Sequence, residues 1–292
     1  MKLRIEKFDM NRVRSDQVIV LIGKRNTGKS FLARDILSHH ADIPCGMIVS
    51  PTERANKFFS SFIPDVFIHE NLENPNTLSN FVRRQEKAVA KSNGEDSDDE
   101  FGGGGGGGGG QFDPRAFLIL DDCMYDNAWV KDKSIRQIFY NGRHIKMMFL
   151  ITMQYPLGIT PNLRTNIDYV FILRDSNVSN QRRIYENYAG IFPTFDVFRQ
   201  VYLECTENYE ALVIDNTTQS NKLQDVVFYY KAVQPPPFRM CDDLYWRLSD
   251  QIKLEARRNR NRPGGAAQGE PAEELFDLNS FRRSVSINVV KE

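Results

Sequence analysis

The sequence predicts an α/β fold in which a mostly parallel sheet is covered by helices on both faces. Three observations predict it. Short apolar, β-branched runs recur without polar alternation, as strands buried on both faces require. Stretches with apolar residues at helical spacing alternate with those runs. The first strong run, Val18 to Ile22, leads into Gly23-Lys24-Arg25-Asn26-Thr27-Gly28-Lys29-Ser30 and then a helical pattern, so strand, glycine loop and helix follow in order.

That octapeptide fits G-x-x-x-x-G-K-[ST], the phosphate-binding loop of nucleoside-triphosphatases. Its glycines let the backbone curl so that successive N–H groups point at phosphate oxygens. The following helix, with Leu32, Ile36 and Leu37 at helical spacing, adds about half a positive charge at its N-terminus. All eight residues, Gly23 to Ser30, are candidate nucleotide contacts. Lys29 is placed to reach the β- and γ-phosphates, and Ser30 to bind Mg²⁺.

The remaining elements follow along the chain. Residues 1–17, basic and partly alternating at Leu3 and Ile5, read as an edge segment ahead of the core. Gly46 to Ser50 and Asp65 to His69 read as strands, and 76–91 as a helix with Leu78, Phe81 and Val82 on its apolar face. Ala116 to Asp121 reads as a strand, 131–140 as a helix ending near Gly142, and Met147 to Thr152 and Asp168 to Leu173 as two more strands. Helices are expected at 178–189 and 194–204, and a pair of late strands at 210–215 and 226–231. Leu244, Leu248 and Ile252 place one apolar face on a helix over 242–257.

Two stretches cannot bury enough apolar surface to fold. In 92–114 an acidic run, Glu95 to Glu100, meets nine consecutive glycines, 102–110. This reads as a surface excursion, either inert or an acidic arm that touches a partner, since strands lie on both sides of it. Residues 258–292 read as a disordered tail, so the nucleotide-binding domain is expected over 18–257. Arg257 to Arg262 is either a solvated basic tail or a nucleic-acid contact.

Composition narrows the function classes. The chain has 292 residues, 41% of them hydrophobic, enough for one α/β domain. Lys plus Arg and Asp plus Glu number 38 each, so global charge indicates no nucleic-acid partner, although a local patch can grip DNA in a neutral protein. Cys45, Cys123, Cys205 and Cys241 are far apart, with no C-x-x-C, which favours free thiols over disulfides or zinc. The start, Met1-Lys2-Leu3-Arg4-Ile5-Glu6, has no signal-peptide core, and no apolar run approaches the roughly 20 residues of a membrane span.

Asp121 and Asp122 end a run of apolar residues, the Walker B pattern, at the strand end where open α/β sheets place their sites. Asp121 is the candidate for holding Mg²⁺ through water, and Asp122 for orienting or deprotonating the attacking water. Gln154 ends the next buried strand, where an amide can donate and accept beside the γ-phosphate. An arginine is also expected to stabilise charge on the transferring phosphoryl group. Arg143 and Arg164, each just ahead of a strand, are the candidates, with Arg174 a third and Arg25 an alternative within the same subunit. A finger supplied by a neighbour requires an oligomer.

The order of these motifs, Gly23 to Ser30, Ile119-Leu120-Asp121-Asp122, Asn141-Gly142-Arg143-His144, Ile151-Thr152-Met153-Gln154-Tyr155 and Leu163-Arg164-Thr165-Asn166-Ile167-Asp168-Tyr169-Val170-Phe171, resembles the genome-packaging ATPases of large double-stranded DNA viruses, within the FtsK–HerA superfamily. The resemblance covers about residues 17–230 and omits the acidic-glycine insertion. It implies a RecA-like fold and an ATP-driven, Mg²⁺-dependent motor that works as a homo-oligomeric ring. Such a motor moves double-stranded DNA, irrespective of sequence, into a capsid. It further implies capsid or membrane-associated virion proteins as partners, and the host cytoplasm and virion as location. By the same resemblance Gln154 matches the polar strand-end residue and Arg143 an arginine finger. The preference for ATP over GTP rests on the resemblance alone.

Another DNA translocase or a helicase is the alternative reading. A switch GTPase would carry N-K-x-D, whereas Asn221-Lys222-Leu223-Gln224-Asp225 has the wrong spacing, and no D-x-x-G follows Asp122. The L-S-G-G-Q signature of transporter ATPases is absent. A small-molecule kinase or a non-catalytic scaffold would leave Asp122 without a task.

Overall fold

A computed structural model describes residues 4–72, 74, 76–94, 112–123 and 128–260. It contains one nine-stranded sheet. Its strands are β1 (Glu6–Lys7), β2 (Val18–Ile22), β3 (Cys45–Val49), β4 (Ile68–His69), β5 (Ala116–Asp121), β6 (Met147–Met153), β7 (Tyr169–Ile172), β8 (Glu210–Asp215) and β9 (Val227–Lys231). Their order in space is β1-β9-β8-β7-β2-β6-β5-β3-β4. From β7 to β4 every pairing is parallel. β8 alone among the described strands runs the other way, antiparallel to both β7 and β9. β1 pairs parallel with β9 at the edge, as the basic N-terminal segment predicts.

β2 lies between β6 and β7, and β6 separates it from β5. This placement explains the composition of the central strands. Every residue of β2, β5 and β6 is buried, so each strand has two apolar faces and no solvated one. The main helices are Lys29–Ser38, Thr77–Ser92, Lys133–Asn141, Val178–Tyr188, Phe195–Cys205 and Asp243–Arg260. Leu78, Phe81 and Val82 are buried as expected. Gln85, also buried in that helix, donates to the Ile145 carbonyl at 2.9 Å and to the Pro114 carbonyl, so helix and sheet are joined by polar contacts as well as packing.

Two expected elements differ. Only Ile68 and His69 of the 65–69 run pair with β3, and Asp65–Phe67 is a 3₁₀ turn. At the sheet edge the segment has only β3 as a neighbour, and contacts with the final helix compete for its backbone. The Val66 N–H instead donates to Ser249 Oγ at 3.3 Å, and Lys253 pairs with Asp65 at 2.8 Å. In the final helix, Leu244 is exposed. The packed face is turned towards Tyr245, whose ring meets Phe67 at 4.6 Å, because the aromatic side chains bury more apolar area than Leu244 would. This helix reaches Arg260, three residues into the stretch expected to be tail. The core of the acidic-glycine insertion, the remaining tail, Leu3 and Arg262 lie outside the described residues. Among the described residues no helix is long and apolar enough to cross a membrane.

Candidate nucleotide site

The loop Gly23–Gly28 sits at the C-terminal end of β2, in the middle of the parallel strands. Its first N–H, on Gly23, donates to the Met153 carbonyl at 3.0 Å, which fixes the loop to the tip of β6. Only glycine fits at position 23: an added Cβ would lie 2.7 Å from Thr27 Oγ1 and 2.9 Å from Leu173 Cβ. Gly28 has φ 97°, a left-handed conformation that starts the helix Lys29–Ser38 without a side-chain cap. The first helical N–H groups are therefore left to an incoming anion.

Lys29 is buried and folds back over the loop. Its ammonium donates to the Gly23 carbonyl at 2.7 Å and the Lys24 carbonyl at 3.3 Å. It lies 3.6 Å from Asp122 Oδ1. Burial lowers its pKa, and Asp122 and Asp121 partly offset that effect. Two loop carbonyls thus hold a charge that is poorly solvated, as expected of a cation whose better partner is a phosphate.

Asp121 ends β5 and is buried. It accepts hydrogen bonds from Ser50 Oγ, after β3, at 2.9 Å and from Thr152 Oγ1 of β6 at 2.8 Å. Burial raises its pKa, while these two bonds oppose the rise. Asp122 adopts φ 50°, and its N–H donates to Thr152 Oγ1 at 3.0 Å. This turn of the backbone separates the adjacent carboxylates: Asp121 faces β3 and β6, and Asp122 faces the loop. Gln154 Nε2 donates to Asp122 Oδ2 at 2.8 Å. Among the described residues Asp122 Oδ1 is buried without a hydrogen bond and lies 3.6 Å from the Lys29 ammonium.

The residues fit Mg²⁺ as a substrate-dependent ion. Among the described residues no cluster of three or more His, Cys, Asp or Glu could hold a metal alone. Mg²⁺ bound with a nucleotide needs only one or two protein oxygens, because phosphates and waters supply the rest. Exposed Ser30 and buried Asp121, held by Ser50 and Thr152, would supply such oxygens when a nucleotide is bound.

The structure brings together Lys29, Asp121, Asp122 and Gln154. Of the candidate arginines only Arg25, within the loop, lies near Lys29; Arg143, Arg164 and Arg174 are engaged elsewhere. Arg143 precedes β6 and forms an ion pair with buried Asp168, which precedes β7 and also accepts the Val18 N–H at 2.9 Å. These are the N-terminal ends of parallel strands, about 16 Å from the loop across the five residues of β2. Arg164 donates to the Ile159 carbonyl at 2.7 Å and to Asn187 Oδ1, and lies 5.4 Å from the centre of the Tyr188 ring. Arg174 donates to the Leu203 carbonyl at 2.6 Å and Thr206 Oγ1 at 3.2 Å. Arg25 is exposed within the loop.

Three features escape sequence reasoning. Lys24 pairs with buried Asp175 at 2.8 Å, tying the loop to the segment after β7. Burial would raise the Asp175 carboxyl, but hydrogen bonds from Lys24, the Asn177 N–H and Asn180 outweigh it and hold the pKa low. Its position just past a parallel strand was the available signal. Ser50 and Thr152, which hold Asp121, gave no signal, since small hydroxyls at strand ends are common. Neither did Tyr209, whose ring stands beside Gly28.

No family model matches the chain. An uncharacterized protein of Acanthamoeba polyphaga mimivirus is 39% identical over 232 residues, covering 79% of this chain and 78% of that protein. Uncharacterized proteins of Invertebrate iridescent virus 3 and Invertebrate iridescent virus 6 are 38% and 37% identical, covering 73% and 79% of this chain and 75% and 86% of their own. Among solved structures, the genome-packaging NTPase of Sulfolobus turreted icosahedral virus 2 in complex with AMPPCP superposes with a TM-score of 0.50 at 14% identity, covering 76% of this chain and 100% of that one. The DNA-packaging ATPase of Sulfolobus Turreted Icosahedral Virus gives 0.51 at 15% identity, covering 75% and 98%.

Proposed function

The chain belongs to the large-DNA-virus protein family represented by its mimivirus and iridescent-virus relatives and has the fold of viral genome-packaging NTPases, and on that premise we propose that it is an ATP-hydrolysing motor that drives viral double-stranded DNA into the capsid. The observation that carries the proposal is the cluster at the tips of β2, β5 and β6. Lys29 lies 3.6 Å from Asp122, and Gln154 donates to Asp122 at 2.8 Å.

In this reading the loop N–H groups and the helix N-terminus bind the phosphates. Lys29 exchanges its two loop carbonyls for phosphate oxygens and compensates charge as the γ-phosphoryl group transfers. Ser30 and Asp121 would hold Mg²⁺ brought with the nucleotide, which would supply further charge neutralisation. Asp122 accepts a proton from the attacking water through Oδ1, while Gln154 keeps Oδ2 engaged and so orients the carboxylate. Arg143, at the opposite end of its own sheet, serves as a finger only if a neighbouring subunit presents it, which calls for a ring. Arg164, with Nε and Nη1 engaged within the subunit, is the weaker candidate. Capsid or membrane-associated virion proteins are the partners, and the host cytoplasm and virion the location, that go with this role.

The test is ATP turnover by the purified chain with and without linear duplex DNA at two salt concentrations. Stimulation by duplex of any sequence that weakens with salt is expected, because phosphate contacts dominate such binding. Turnover that ignores DNA, even with capsid proteins added, would remove the motor and leave the nucleotide site.

A further inference from the structure

On the flank of the loop away from Asp122 and Gln154, Tyr209 immediately precedes β8. The residue is 72% exposed, among the most exposed large hydrophobic residues described. Its backbone has φ 64° and that of Asn208 φ 50°, so two successive non-glycine residues occupy the left-handed region. A Cβ placed on Gly28 would lie 3.7 Å from Tyr209 Cδ1. The ring therefore stands at the loop's last glycine, where the helix begins.

The segment leading to it is held firmly. Arg174, just past β7, donates to the Leu203 carbonyl and to Thr206 Oγ1, and Thr206 Oγ1 donates to the Tyr202 carbonyl at 2.6 Å. A fixed segment that presents an apolar ring to solvent in a disfavoured backbone conformation needs a reason, and backbone strain of this kind clusters at ligand clamps. Strand order supplies one. Lys29, Asp122 and Gln154 mark the γ-phosphate end on the β6–β5 side of β2. Tyr209 lies on the β7–β8 side. A nucleotide bound across the loop leaves its base on that side.

We propose that Tyr209 is the platform on which the nucleobase of the bound triphosphate stacks. This rests on the nucleotide-site reading above and adds a base-binding residue to it. Stacking accepts any base, because every base presents a π-face. Tyr209 thus adds affinity for nucleosides over bare polyphosphate and does not by itself separate adenine from guanine.

The test is calorimetric titration of the full chain with Mg²⁺ and ATP, GTP or inorganic tripolyphosphate, for the natural sequence, Tyr209→Ala, Tyr209→Trp and Lys29→Ala. Tyr209→Ala should weaken ATP and GTP roughly five- to a hundredfold and leave tripolyphosphate unchanged. Tyr209→Trp should retain nucleotide affinity, and Lys29→Ala should weaken all three ligands. Unchanged ATP affinity in Tyr209→Ala, or equal loss of ATP and tripolyphosphate, would overturn the platform while the Lys29 result keeps the nucleotide site. If the natural chain binds neither ATP nor tripolyphosphate, both readings fall together.

Discussion

Gln154 and Asp122, 32 positions apart in the chain, are joined by a 2.8 Å hydrogen bond from amide to carboxylate. The bond ties the tip of β6 to the tip of β5 and leaves the second oxygen of Asp122 facing Lys29. A carboxylate held through one oxygen, with the other buried beside Lys29 and making no hydrogen bond, is oriented and keeps a lone pair able to accept a proton. Asp122→Asn should therefore bind ATP and fail to cleave it, with kcat down roughly a hundred- to ten-thousandfold. Gln154→Ala should lower kcat less while leaving binding near normal. Single-turnover hydrolysis beside equilibrium binding separates the two effects, and wild-type turnover in Asp122→Asn would dismiss it as the base.

Lys29→Met should abolish hydrolysis and lower the stability of the nucleotide-free protein modestly. Burial of the ammonium disfavours its charge, which offsets part of the loss. The substitution also leaves Asp122 Oδ1 buried without its cation, and removing one partner of such a pair is destabilising. Thermal melts with and without ATP check this: the natural chain should gain stability from nucleotide and the variant should not.

Arg143 has two separable roles. Its ion pair with buried Asp168 supports the N-terminal ends of β2 and β7, because Asp168 also accepts the Val18 N–H. Loss of the arginine leaves that carboxylate without its cation. Since Arg143 is itself about half exposed, Arg143→Ala should cost about 1–2 kcal/mol, less than breaking a fully buried pair. Arg143→Lys should keep much of that stability while losing the planar fork suited to phosphate. Mixed with the natural chain, Arg143→Lys should reduce turnover beyond simple dilution if neighbours share sites. A strictly proportional decline would assign Arg143 to folding alone.

His40, buried in the turn after the loop helix, makes the fold sensitive to acid. Burial lowers its pKa to about 4, with Asp42 opposing and His39 and Arg115 adding to the shift. The unfolded chain takes up this proton near pH 6.5, before the folded one does. The contribution is complete above pH 6.5 and is lost as pH falls towards 4, by about 3 kcal/mol at most. His40→Gln should flatten the melting temperature across that window relative to the natural chain. Parallel curves would show that other groups govern acid unfolding.

Much of the site was legible in the chain because its signals are local. The loop from Gly23 to Ser30 needs particular residues at adjacent positions, and Asp121, Asp122 and Gln154 each end a buried run. The misread edge at Asp65 to Phe67 and the exposed Leu244 show the limit. Periodicity reports that a face is apolar, but a competing partner, here Ser249 for the Val66 N–H and Phe67 for Tyr245, decides which residues are covered.

By itself the sequence determined the element types, the phosphate loop and the strand-end carboxylates, since these depend on hydrophobic period and loop chemistry within a few neighbouring residues. Only the tertiary structure decided strand order. Placing β6 between β2 and β5 lets Gln154 meet Asp122, which in turn lies 3.6 Å from Lys29. The antiparallel run of β8 sets Tyr209 beside Gly28, and the parallel pairing of β2 with β6 leaves Arg143, which precedes β6, at the far end of the sheet. These relationships arise from which buried faces pair across long stretches of chain, and no local pattern encodes that pairing.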